Sequence, residues 1–237
     1  MRIAVMTDAH ANLPALRAAL RDIGEHGYDA IYHTGDAIGI GPYPAECLDL
    51  LLTTPGMRCL LGNHDAWFAL GLTDPWPYTP GELRHQRWVH EQLDPALRTA
   101  VAAWPVVAEE APDGVHVTFL HYAPQGAPGS FAPVVQNPAP EDLDSLFAPY
   151  AAHLLFYGHH HPFSDLSGRT RYVNPGSLGC HTAPLARYAL LETHAEGRYT
   201  LEHHAVPYDA APMFAELERR QVPEQAFLRR VFLRQDQ

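Results

Sequence analysis

Short apolar runs that end in polar clusters recur along this chain. Arg2 to Met6 stops at Thr7-Asp8, and Leu13 to Ile23 then carries apolar residues at helical spacing, with Asn12 as N-cap and Pro14 in the first turn. The pattern predicts strand, loop, helix. It recurs at Ala30 to His33, which leads into Gly35-Asp36 with a helix starting near Pro44, and at Met57 to Leu61, which leads into Gly62-Asn63-His64-Asp65. Three predicted strand ends thus carry polar clusters, where open α/β sheets position their ligands.

Trp67 to Ala103 differs in character. Pro75, Pro77 and Pro80 precede a helix-like segment from Glu82 to Leu93 and another after Asp94-Pro95, which predicts a helical insertion over 67–103 within one domain spanning 1–237. Strand patterns return at Val106 to Glu110 and Val115 to His121, followed by a Pro/Gly/Ala-rich loop from Tyr122 to Pro140 and a short helix around Glu141 to Phe147. The run Leu154 to Tyr157 then ends at Gly158-His159-His160-His161. Further strands are expected at Tyr172-Val173, Ala189 to Leu191 and Tyr199 to Val206, separated by Asn174-Pro175-Gly176-Ser177 and the turn Glu196-Gly197. From Ala210 the pattern is helical, broken at Pro223, with an Arg-rich face read as solvated surface. No repeat of fixed period and no low-complexity tract is present.

Composition narrows the chemistry. A chain of 237 residues with 46% hydrophobic content can bury a substantial core. The net charge of -11 argues against sequence-independent nucleic-acid binding, which needs a basic surface to release counterions. It leaves room for a small phosphate ligand, because bound cations reverse the potential over anionic ligands. Cys47, Cys59 and Cys180 are odd in number and widely spaced, offering neither a disulfide framework nor a thiolate zinc motif, so a reducing cytoplasm is expected. The apolar run reaching Asp8 is too short for a signal-peptide core or a membrane span, and no other segment reads as one.

Sixteen histidines equal the sixteen Lys plus Arg, a ratio that points to metal or acid-base chemistry. His26, His33, His85, His90, His116, His153, His194, His203 and His204 lack partners at ligand spacing and are read as surface or hydrogen-bonded structural residues. Asp8-x-His10 places two donors whose side chains converge in extended geometry. Asp36 adds a carboxylate able to bridge two metals. Asn63 adds a neutral amide oxygen suited to a centre already rich in anionic oxygen. His159 and His161 offer two imidazoles with the intervening residue facing away. Each motif alone has an ordinary reading: Asp8 as a helix cap, Gly35-Asp36 as a turn, Asn63 as an Asx turn, His121 as a core histidine. Together and in this order they favour a site.

The order D-x-H, G-D, G-N-H, a later H and G-H-x-H resembles the calcineurin-like metallophosphoesterases over most of the chain. The resemblance implies an α/β fold, a β-sandwich of two mixed sheets flanked by helices. It implies one metal on Asp8, His10 and His161, a second on Asn63, His121 and His159, and Asp36 bridging them. His64 would stand beside the centre without binding metal. Two divalent ions, with Mn or Fe favoured and Zn, Ni or Co possible, would share a hydroxide for in-line attack on phosphorus. His64 would protonate the leaving oxygen or stabilise its charge, a role typically worth about 10²- to 10⁴-fold.

Gly35 to Pro44, Asn174 to Ser177 and Pro207-Tyr208-Asp209 look like the small bacterial phosphodiesterase branch. The Ser/Thr protein phosphatase branch carries an acidic residue at the position of Gly39 to orient the catalytic His. Some other carbonyl or carboxylate would have to orient His64 here. Relatives commonly place an arginine after the Asn-Pro-Gly-Ser turn, where this chain has Leu178-Gly179-Cys180-His181, so His181 becomes a candidate substrate donor, with Asn12 a second.

The expected partner is a small phosphoester, of which a nucleotide is one candidate, with no membrane and an oligomeric state the sequence leaves open. Segments 67–103 and 122–140 are candidates to roof the site, and Trp67, Phe68, Trp76, Tyr78 and Tyr122 could stack on a base or belong to the core. The alternative is a noncatalytic scaffold on the same fold, as in the retromer subunit that resembles phosphoesterases. The presence of His64 and every ligand type counts against it. A structural zinc site is disfavoured because such sites are usually thiolate-rich.

Overall fold

The computed structural model describes residues 1–233. In chain order the strands are β1 (Arg2–Met6), β2 (Ala30–His33), β3 (Met57–Cys59), β4 (Val107–Glu110), β5 (Val117–Leu120), β6 (Leu154–Phe156), β7 (Ser164–Ser167), β8 (Arg171–Asn174), β9 (Leu185–His194) and β10 (Arg198–Pro207). The α-helices are α1 (Leu13–His26), α2 (Pro44–Thr53), α3 (Asn63–Leu70), α4 (Pro80–Glu91), α5 (Arg98–Ala102), α6 (Pro140–Leu146), α7 (Ala211–Arg219) and α8 (Gln225–Leu228).

The strands form two mixed five-stranded sheets, ordered β10-β9-β1-β2-β3 and β4-β5-β6-β8-β7. In the first, β1, β2 and β3 run parallel while β9 and β10 form an antiparallel hairpin on β1. In the second, β5, β6 and β8 are parallel and β4 and β7 close the edges antiparallel. Parallel strands joined by crossovers leave their C-terminal ends on one edge, which is where the sequence concentrates Asp, Asn and His.

Alternation along β1 shows why two sheets pack face to face. Ile3 and Val5 point into a core shared with Val117, Phe119, Leu154, Phe156 and Val173 of the second sheet, whereas Ala4 and Met6 point to the helices on the other face. Tyr32 and Phe119 stack across the interface with centroids 3.8 Å apart. Helix α1 covers the outer face with Leu13, Leu16, Ala19 and Ile23 while Arg17 and Arg21 face outward, and Asn12 caps it by accepting from the Ala15 amide at 3.2 Å. The second sheet's outer face, with Leu155, Tyr157 and Tyr172, is covered by Leu143 of α6 and by Phe147.

Several expectations are corrected. A helix not singled out in the sequence begins at Asn63 itself, because the Asp65 side chain accepts from the Gly62 amide at 3.1 Å and caps the first turn. Strand β7, with its polar sequence Ser-Asp-Leu-Ser, has no apolar signal and exists through antiparallel pairing with β8. The C-terminal arginines are not simply solvated: Arg220 bonds Glu46 and Glu216 and lies 5.1 Å from the Tyr43 ring centroid. No helix among the described residues is long and apolar enough to cross a membrane.

Because Phe119 is fully buried between Tyr32 and Phe156, Phe119→Ala should cost about 3–5 kcal/mol in urea unfolding, and a loss below about 1 kcal/mol would show that the sheets do not depend on this contact.

Candidate metal centre

All seven expected ligands meet at the C-terminal edge of the two sheets. Asp8 and His10 follow β1, Asp36 follows β2, Asn63 opens α3 after β3, His121 follows β5, and His159 and His161 follow β6. Their convergence does not come from the extended backbone expected of Asp8-x-His10. Asp8, His10, Asp36, His159 and His161 all have φ between 45° and 73°, the left-handed region that L-residues adopt at a cost of about 1–2 kcal/mol each. The loops hold this conformation by bonding each other: the amides of Asp8, His10 and Ala11 donate to the carbonyls of Gly35, Asp36 and Ala37, each at 3.0 Å.

The donors sort into two sets around Asp36. In one, His10 Nε2 and His161 Nε2 are 3.0 Å apart, each is 3.6 Å from Asp8 Oδ1, and His10 Nε2 is 3.8 Å from Asp36 Oδ2. In the other, His121 Nε2 is 3.3 Å from Asp36 Oδ2 and 3.2 Å from His159 Nδ1. The terminal amide atom of Asn63 nearest that set, its oxygen, is 3.0 Å from His159 Nδ1 and 3.3 Å from Asp36 Oδ2. Rotated by 180°, the amide would donate to both instead. A carboxylate oxygen, imidazole nitrogens and an amide oxygen aimed at one another are acceptors in excess, the arrangement a cation satisfies.

The ring orientations fit the same role. His121 donates from Nδ1 to the Thr34 carbonyl at 3.0 Å, and His10 Nδ1 lies 3.4 Å from the Ile38 carbonyl, so each turns Nε2 inward. These donors, imidazole, carboxylate and amide, suit borderline divalent cations.

Burial opposes charge on Asp8, but the hydrogen bond to His10 and the charges of His161 and His121 hold its carboxyl below the usual range. Burial likewise opposes ionisation of Asp36, and the charge and hydrogen bond of His121 hold its carboxyl well down. For His121 burial favours the neutral ring, yet the Asp36 and Asp8 charges outweigh it and lift the imidazole to about 9. A divalent cation at these donors must therefore displace a proton.

His64 stands beside both sets, with its amide donating to Asp36 Oδ1 at 2.9 Å and its ring 5.1 Å from that of His10. Burial drives its imidazole down to about 3 despite the Asp36 charge, so the ring is neutral. The expected carbonyl or carboxylate partner is replaced by an amide: Gln86 of α4 places Nε2 3.0 Å from His64 Nδ1. Gly39, φ +85°, backs onto the same ring, and a Cβ there would collide with His64 Nδ1. The residue that stands where an orienting acid is found elsewhere thus makes room, and the orienting group comes from segment 67–103.

Other sequence readings divide. Asn12 is 1% exposed, with Nδ2 donating to the Gly179 carbonyl and to the Tyr208 hydroxyl and Oδ1 capping α1, so its polar atoms are used internally and it is no substrate residue. His181 accepts from Arg187 Nε at 3.0 Å and lines a cavity of about 320 Å³ beside the centre, together with His161, His160 and Cys180. His160 does not turn away from the site as expected, because the left-handed residues on either side re-aim it along the cleft. The main cleft, about 370 Å³, is walled by Trp67, Tyr78 and Glu82 from segment 67–103 and by Val134 and Gln136 from segment 122–140. Phe68 and Tyr122 are buried core.

Four residues had escaped the sequence reading. Asp65 accepts from the amides of Asp36 at 2.7 Å and Ala37 at 3.0 Å, pinning the Asp36 loop; burial first, and Asp36 second, push its carboxyl up to about 7. The only hint in the sequence is its place three residues after Gly62, a capping position. Cys180 groups with His10 and His161 within ligand distance, and burial raises its thiol pKa so that it stays protonated. Gln86 and Phe232 reach the site from distant elements and carry no local signal.

Gln86→Ala and Gln86→Glu should keep the metal content while lowering kcat about 10- to 100-fold, the first by freeing the ring and the second by drawing the proton to Nδ1. Metal analysis beside steady-state kinetics checks this, and unchanged kcat in both would exclude an orienting role.

The calcineurin-like phosphoesterase superfamily domain matches residues 1–196, a stretch holding both donor sets, His64 and Gln86. An uncharacterized protein of Methanocaldococcus jannaschii is 27% identical over 248 residues, covering 94% of each chain. Among solved structures, a metallophosphoesterase from Sphaerobacter thermophilus aligns with a TM-score of 0.75 at 25% identity over 97% of both chains. A hypothetical protein from Pyrococcus horikoshii OT3 aligns with a TM-score of 0.81 at 20% identity, over 96% of this chain and 97% of that one. With its matched domain, its two mixed sheets and its ring of carboxylates and imidazoles, this chain belongs to the calcineurin-like phosphoesterase superfamily.

Proposed function

We propose that the chain hydrolyses phosphoesters at a dinuclear centre, with Asp8, His10 and His161 holding one divalent ion, Asn63, His121 and His159 the other, and Asp36 both. The observation that carries this reading is the sharing of Asp36 Oδ2 between two donor sets, with a half-buried, oriented imidazole beside them. Two such ions, when bound, polarise phosphoryl oxygens and lower the pKa of water.

The chain's own residues supply the rest. With the Gln86 NH₂ facing Nδ1, the neutral His64 ring carries its proton on Nε2, the nitrogen left for the cleft. It can therefore donate a hydrogen bond to the departing oxygen as charge develops there. Trp67 and Tyr78 offer aromatic faces for the leaving group.

The walls favour a diester over a monoester. No Arg or Lys is among the described residues that line the cleft or the cavities on either side of it, while Glu82 does line the cleft. A monoester dianion, or a substrate with further phosphates, would meet no side-chain cation beyond the metals. A diester presents a single negative charge and an uncharged leaving group, so polyphosphorylated nucleotides are poor candidates.

With Mn²⁺ added, bis(p-nitrophenyl) phosphate should be cleaved with a higher kcat/KM than p-nitrophenyl phosphate. No cleavage of either with Mn²⁺, Fe²⁺, Co²⁺, Ni²⁺ or Zn²⁺ would favour a noncatalytic scaffold. His64→Ala should keep two metal ions per chain in this centre and lose about 10²- to 10⁴-fold in kcat.

A further inference from the structure

Away from this edge, helix α1 and strand β10 bring three donors to one point. Asp22 and His26 lie one turn apart on α1, and His204 projects from β10 toward the same helix. Asp22 Oδ2 is 3.7 Å from His26 Nε2 and 3.7 Å from His204 Nδ1, and the three donors all fall within 4.8 Å of one another. Tetrahedral zinc with bonds near 2.0–2.1 Å spaces its ligands by about 3.3 Å, so a small closure of side chains suffices.

The surroundings hold the donors in this arrangement. Tyr188, the partner of His204 across the hairpin, stacks on its ring at 4.6 Å with planes 10° apart and donates its hydroxyl to Asp22 Oδ2 at 2.6 Å. One side chain thus orients two of the three donors. His204 Nε2, buried and without a hydrogen bond, lies 3.5 Å from Oε2 of Glu202, an exposed side chain free to close on it. A carboxylate accepting a hydrogen bond from Nε2–H leaves the Nδ1 lone pair for a metal, the carboxylate-histidine pairing usual at metal sites. The ring of His26 meets that of His204 edge-on at 4.7 Å, which keeps it beside the same point.

We infer that Asp22, His26 and His204 form a second, separate site for a borderline divalent cation of the zinc class, with water completing the coordination. Such an ion clamps α1 to the β9-β10 hairpin. The donor set of two imidazoles and one carboxylate is that of Zn²⁺, Co²⁺ or Ni²⁺ rather than Mg²⁺ or Ca²⁺.

The test is metal stoichiometry on full-length protein stripped with chelator and equilibrated with low-micromolar free Zn²⁺. His26→Ala and His204→Ala should each bind one equivalent fewer than wild type, whatever number the phosphoesterase centre holds. His26 is exposed, so its replacement leaves the fold intact even if His204→Ala does not. On an Asp36→Asn background, which cripples the other centre, Co²⁺ should still give a tetrahedral visible band that His26→Ala abolishes. Equal zinc content in wild type and His26→Ala, or a cobalt band insensitive to His26→Ala, would overturn the site while leaving the hydrolase reading untouched.

Discussion

Two carboxylates buried to within 2% of complete exclusion from solvent, Asp8 and Asp36, set the terms for the rest of this molecule. An isolated charge in such a place is far too costly to keep, and each must be met by cations, protonated rings or backbone amides. The amide of His64 meets Asp36 Oδ1, while Thr7 Oγ1 and the amide of His159 meet Asp8 Oδ2. The remaining lone pairs face imidazoles. Strained left-handed loops follow from the same demand, because an ordinary turn would not aim consecutive ligands at one point.

Those loops survive because two sheets brace them from both sides. The β1 and β2 loops bond each other, Asp65 holds the Asp36 loop through two amides, and the Gly158 amide donates to the His121 carbonyl at 2.8 Å, tying the β6 loop to the end of β5. Gly158 lies where any Cβ would collide with Thr7 Oγ1, so the second sheet can approach the first only through a glycine. The aromatic contact of Tyr32 with Phe119 locks that approach at the interface. Packing energy from the sandwich interior therefore offsets conformational strain at its rim.

The surroundings of the His64 ring are less local than the cluster of carboxylates and imidazoles beside it. His64 follows Asn63 in the chain, but its tautomer depends on Gln86, and the space for its ring depends on Gly39. The cleft above it is walled by three segments that are separate in sequence: 67–103, 122–140 and the C-terminal turn bearing Phe232. Among the described residues these walls carry aromatic rings and a carboxylate, with no Arg or Lys.

The sequence by itself was enough for the strand-loop-helix order, the family resemblance and the seven carboxylate, amide and imidazole residues that converge at the sheet edge. Each of these is written as a residue type at short spacing after an apolar run, and the length and apolar pattern of such runs reflect local backbone preference. What only the tertiary structure decided is everything that depends on contact across the chain. Strand β7 exists by pairing, Asn12 is consumed by Gly179 and Tyr208, Gln86 orients His64 across 22 residues, and Asp22, His26 and His204 meet across a helix and a hairpin. Hydrogen bonds and ring contacts act over a few ångströms in space, and sequence separation carries no record of which distant side chains the packing of two sheets will bring that close.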